Sequence, residues 1–104
     1  MSTLNEVQRE VVRQLVNNFS DRSLTEVRAM VHFGLAEEAG EVVGLMKRVL
    51  RKFPKDTERT TTTNFIEELG DVLWYLAACC YVNGTTLDEI WLRNIEKVKE
   101  RYGE

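Results

Sequence analysis

A chain of 104 residues, 43% hydrophobic and 30% charged, has the make-up of one soluble globular domain, 1–104, and is too short for a second. Its formal net charge of −3 separates it from dedicated nucleic-acid binders, which carry a basic excess. No apolar run approaches the ~20 residues that span a bilayer, and the opening MSTLNEVQRE lacks the apolar stretch of a signal peptide. A cytoplasmic protein with neither a nucleic-acid nor a membrane partner is therefore expected.

One Pro and six Gly in this length favour long helices. Thr3 and Glu6 have the spacing of a capping box, and Leu4, Val7, Val11 and Leu15 continue as a helical stripe that fades at the turn-like NNFSDRS. Ser23 and Glu26 repeat the box and open a second helix from about Leu24 to Phe53, where Pro54 stops it; a bend near Gly34 is expected. The polar PKDTERTTTT follows. Asn64 and Glu67 are the third candidate cap, for a helix to about Val82 ending at NG. Thr86 and Glu89 are the fourth, for a helix to about Tyr102. No strand-like alternation and no repeat interrupts this order. The expected fold is all-α, an antiparallel bundle of about four helices. Cys79 and Cys80, adjacent within a helical run, read as small core residues of a reducing compartment.

Acidic clusters sit inside the most apolar runs, EEAGE at 37–41 and EELGD at 67–71. With Val27 at zero and 100° per residue, Glu38 falls at about 20°, among Val31, Val42, Leu45 and Val49. Glu41 lies on the edge of that stripe beside Gly34, and Glu37 farther out. On the third helix Phe65, Leu69, Val72, Leu76 and Cys79 form the seam. Glu68 borders it, Asp71 lies one step toward the polar face near Tyr75, and Glu67 points away. Two charges about 6 Å apart at an effective dielectric of ~20 repel by roughly 3 kcal/mol. Four acids at one spot would repel by a sum comparable with the stability of a whole domain. Water, protonation, basic partners such as Lys47, Arg48 or Arg51, or cations must compensate. Divalent cations do so best, because Mg²⁺ and Mn²⁺ prefer carboxylate oxygens that facing helices can present together. His32 is the only histidine and no Glu-x-x-His occurs, which argues against an iron-oxidising bundle.

EEAGE, the stretch from Val42 to Glu67, and then ELGD resemble the E-x-x-E…E-x-x-D signature of the MazG-like nucleotide pyrophosphohydrolases, within the all-α nucleoside-triphosphate pyrophosphatase superfamily. GLAEEAGEVVGLMKR is similar to that family's second helix, FIEELGDVLWYLAA to its partner helix, and NIEKVKERY to its closing Asn-x-x-Lys-x-x-x-Arg segment. The resemblance covers about residues 24–102. It implies hydrolysis of a (deoxy)nucleoside triphosphate to the monophosphate and pyrophosphate, in cleaning or remodelling of a nucleotide pool. It implies that Glu38, Glu41, Glu68 and Asp71 hold Mg²⁺, with Mn²⁺ a substitute. The metals would bind phosphate oxygens and lower the pKa of a water that attacks the α-phosphorus, and Glu37 would orient or deprotonate that water. Lys47, Asn94, Lys97 and Arg101 are the candidate phosphate contacts.

Trp74, Tyr75, Trp91, Phe33 and His32 are available to stack on a base, although each more often serves core or interface. Val43, Met46 and Leu50 widen the apolar stripe of the second helix beyond what one thin bundle covers. With the resemblance, this implies a homodimer or a dimer of dimers. The competing reading is a non-catalytic helical module that binds nucleotide or protein on the same fold.

Overall fold

The computed structural model describes residues 2–51 and 62–103, with backbone alone at Arg51, Thr62 and Thr63. These residues form four helices, α1 (Leu4–Asn18), α2 (Leu24–Arg51), α3 (Thr62–Val82) and α4 (Leu87–Tyr102), and no strand occurs among them. The all-α architecture matches the expectation. No helix among the described residues is long and apolar enough to cross a membrane.

The helix starts follow from local chemistry. The Glu6 amide donates to Thr3 Oγ1 and the Thr3 amide to Glu6 Oε1, both at 3.2 Å. Ser23 and Glu26 repeat this reciprocal pair at 3.1 and 3.2 Å. Each box satisfies two amides that a helix N-terminus leaves without partners. Accepting those amides holds the Glu6 and Glu26 carboxyls below their ordinary range. At α4 the Thr86 hydroxyl accepts from the Glu89 amide at 3.1 Å.

The third expected cap is corrected. α3 begins at Thr62, so Asn64 lies inside its first turn. The threonine run ahead of it carries no apolar period that would have marked the earlier start. The expected stop at Phe53 and Pro54 falls outside the described residues, and α2 is continuous through Gly34. Positive φ at Gly84 (73°) and Gly103 (71°) closes α3 and α4, a backbone region that glycine enters without penalty.

α3 is the central helix. Ala77, Ala78, Cys79 and Cys80 are four consecutive buried residues, and four consecutive residues sweep most of a helix's circumference. Only a helix with neighbours on several sides can bury them, and α1, α2 and α4 all pack on α3. Val11 and Leu15 of α1, Val31 of α2 and Leu87 of α4 complete this core. Cys79 and Cys80 are free thiols within it, as expected.

The sequence did not signal the buried role of Gln8. Its Nε2 donates to the Ala77 carbonyl at 3.0 Å, and its Oε1 accepts the Leu87 amide at 3.2 Å. One side chain thus ties α1 to both α3 and α4.

The far half of the α2–α3 pair is much less covered. Val43, Met46 and Leu50 on α2, and Ile66, Leu69 and Leu73 on α3, are all exposed. Each trio is spaced by three and four residues, the period of a packing seam. The radius of gyration is 16.5 Å, against about 13 Å for a compact domain of this length.

Candidate metal centre

α2 and α3 run antiparallel, and their register can be followed contact by contact. At the outer end Arg28 Nη2 donates to Asn83 Oδ1 at 2.7 Å and Nη1 to the Val82 carbonyl at 3.3 Å. His32 Nδ1 lies 2.6 Å from the Arg28 carbonyl, so that nitrogen carries the proton and Nε2 accepts from Asn83 Nδ2 at 3.0 Å. Asn83 Nδ2 also donates to the Cys79 carbonyl at 2.8 Å. One step inward, Cys79 Sγ donates to the Val31 carbonyl at 3.4 Å. One further step brings the Tyr75 ring onto buried Gly34. The next turn of each helix carries the acids.

There the carboxylates of Glu38, Glu68 and Asp71 converge, with one oxygen from each lying within 4.8 Å of the others. Glu38 and Glu68 are partly buried and Asp71 is exposed, so the cluster has a wet side. None of the three is paired with a basic side chain among the described residues, where the ion pairs are Arg13–Glu10, Arg22–Glu26 and Arg93–Glu89. The Glu38 carboxyl is pushed above its ordinary range, first by burial and then by the negative charges of Asp71, Glu68, Glu37 and Glu41. Both causes disfavour its ionised form.

This donor set fits a hard divalent cation. All three donors are carboxylate oxygens from two helices. With their oxygens within 4.8 Å of one another, the three side chains could close on one hard cation by small rotations, and Glu38, Glu68 and Asp71 would be the residues that hold it. A cation would also relieve the repulsion that raises Glu38.

The other sequence candidates are placed differently. Glu41 and Glu37 are exposed and lie outside the converging trio, although both charges are felt at Glu38. Lys47 of α2 and Asn94, Lys97 and Arg101 of α4 are exposed, and none forms an ion pair with the trio among the described residues. Asn94 lines an apolar groove with Leu76, Ile90 and Trp91. Glu67 is exposed, as its position on the helix required.

Two aromatics near the acids have structural partners. Trp74 Nε1 donates to Gln14 Oε1 at 2.8 Å, and its ring meets Tyr75 edge-on at a centroid distance of 5.0 Å. Sequence reasoning offered both for base stacking and missed the contact of Tyr75 with Gly34. No period along either helix pairs position 34 with position 75, so nothing in the sequence announced this contact.

Among characterised proteins, the chain is 32% identical over 71 residues to the Gene 37 protein of Mycobacterium phage L5. That match covers 68% of this chain and 62% of the phage protein's length. No solved structure matches the chain. The family described as the MazG nucleotide pyrophosphohydrolase domain matches residues 28–104, a span that includes α3, α4, nearly all of α2, and Glu37, Glu38, Glu41, Glu68 and Asp71. The chain belongs to the MazG nucleotide pyrophosphohydrolase domain family.

Proposed function

We propose that this protein hydrolyses the α–β phosphoanhydride of a nucleoside triphosphate, giving the monophosphate and diphosphate, with Mg²⁺ at the carboxylate cluster. The convergence of Glu38, Glu68 and Asp71 from two helices, with no basic partner among the described residues, carries this reading, in a chain of this family. A resident divalent cation supplies positive charge against the phosphate oxygens and lowers the pKa of a water.

The chain's own residues supply the rest. Glu38 must release its proton before it can serve as a ligand, and its raised pKa makes occupancy fall in acid. Glu41 extends the trio on the same helix and widens the cluster's negative field. Glu37, exposed beside Glu38, accepts the proton of the attacking water at its carboxylate. Lys47, Asn94, Lys97 and Arg101 lie exposed and available to a triphosphate. We also propose a homodimer or homotetramer, in which the seams of Val43, Met46 and Leu50 and of Ile66, Leu69 and Leu73 are covered by a second copy.

The test is a panel of standard dNTPs and NTPs with Mg²⁺ and with EDTA, resolving the products. Metal-dependent release of monophosphate and pyrophosphate is expected. Glu38→Gln and Asp71→Asn should each lower the rate on the order of 100-fold or more. Unchanged hydrolysis in either variant at saturating Mg²⁺ would remove that residue from the metal centre. No turnover of any nucleotide by the unmodified protein would favour the non-catalytic binding module.

A further inference from the structure

A close approach between α2 and α3 lies one helical turn from the acids. Gly34 is buried, and a Cβ built on it would lie 2.5 Å from Cδ1 and Cζ of Tyr75 and closer still to Cε1. No real Cβ tolerates such distances, so the ring occupies the space that any other residue would need. The glycines at 40, 44 and 70 are unlike it, because nothing comes within 4 Å of a Cβ at any of them. Their absence of a side chain is not required by packing.

Position explains the consequence. Glu38 follows Gly34 by four residues on α2, and Asp71 precedes Tyr75 by four on α3. Four residues are about 6 Å along a helix axis. The contact therefore fixes the separation of the two helices immediately beside the point where their carboxylates must meet. The Tyr75 ring is itself held, by its edge-on contact with Trp74, whose indole is tied to Gln14 of α1. A close-packed interior passes displacements on instead of absorbing them, so a methyl group at 34 must move α2, α3 or the ring.

We infer that Gly34 and Tyr75 are a positioning pair, which sets the helix spacing that lets Glu38 reach the carboxylates of Glu68 and Asp71. This rests on the reading of the trio as a metal centre. Neither residue contributes a ligand atom. Their effect acts through the spacing of the acids, and so on metal affinity.

The experiment is a double-mutant cycle on the full chain, titrated with Mn²⁺ by calorimetry and by the electron paramagnetic resonance of the bound ion, with helix content followed by circular dichroism. Gly34→Ala should weaken Mn²⁺ binding roughly tenfold or more, as loss of an outer-shell support does elsewhere. Tyr75→Leu, which leaves the gap under-filled, should weaken it as well. Gly34→Ala combined with Tyr75→Leu should bind more tightly than Tyr75→Leu alone, because the methyl group refills the space the ring gave up. Gly44→Ala, the same change at an open site, should bind as the unmodified protein does.

Additive losses in the cycle, or undiminished binding in folded Gly34→Ala, would overturn the positioning role. If Gly34→Ala does not fold, the comparison of Tyr75→Leu with the double variant still decides, and no recovery there overturns it too. Failure of the unmodified protein to bind Mn²⁺ would sink the metal centre and this inference together. Binding that is normal in all variants would sink this inference alone.

Discussion

The two ends of the α2–α3 hairpin are built on different principles. At the end where Arg28 meets Asn83, the Arg28 and His32 side chains of α2 are hydrogen-bonded to the C-terminal end of α3 and to Asn83 just beyond it, and Val31 is 1% exposed against Cys79 and the alanines. At the other end, beyond the acids, Leu45 alone is buried among the described residues, while Leu50 is 75% exposed and Ile66 63%. The same pair of helices passes from a finished interior to an unfinished one, and the acids stand where the change occurs. A carboxylate cluster there draws rigidity from one side without being sealed by the other. The closed end can therefore specify geometry, while the described residues of the other end leave apolar side chains exposed.

Three perturbations would break or sharpen this contrast. The largest effect should come at the closed end, where Val31→Ala leaves a cavity and costs about 2 kcal/mol, read from urea unfolding. A much smaller loss would mean that this end does not organise the hairpin.

At the boundary, Glu38→Gln should raise the stability of the metal-free protein by on the order of 1 kcal/mol near neutral pH by removing a charge that burial first, and then its acidic neighbours, disfavour. The pH dependence has a definite sign. The Glu38 carboxyl holds its proton more tightly in the folded chain than in the unfolded one. Its contribution is complete below the unfolded carboxyl range and is lost as pH rises through the folded value. Melting temperatures in EDTA should thus carry a component that falls with rising pH across that window, and Glu38→Gln should remove it. A flat difference between the two proteins would show that Glu38 does not titrate there. Glu6 and Glu26, whose values are lowered, contribute with the opposite slope and lose their effect as pH falls.

The smallest effect on the fold should come at the open end. Ile66→Lys should change the stability of the dilute protein by less than about 0.5 kcal/mol, yet lower the molar mass measured by light scattering at high concentration. A large loss of stability with no change in mass would show that this face is internal to one chain.

What the sequence revealed follows the same boundary. Three helix starts were legible because hydroxyl and carboxylate stand three residues apart at Thr3, Ser23 and Thr86, and the geometry of a cap is local. Asn64 misled because it shares that spacing with Glu67 inside a helix already under way. Glu38, Glu68 and Asp71 were legible as a cluster because one period governs each helix, whereas the place of Glu41, outside the trio, depended on how the two helices pack, which no period encodes. Gln8 and the Gly34–Tyr75 contact were not legible for a related reason. Each is a meeting of residues distant in sequence, and its partner is chosen by how helices pack and not by the pattern along either one.

The Gln8 amide has a consequence for the order in which the molecule comes together. Its partners stand 69 and 79 residues away along the chain. The site that receives the first turn of α4 does not exist until α1 has found α3, because only then is the Gln8 side chain held in place to accept the Leu87 amide. α4 packs less extensively on its neighbours than α2 does on α3, so this hydrogen bond is a large share of what holds its first turn. The helix that carries Asn94, Lys97 and Arg101 is thus tied into the fold by a side chain of α1.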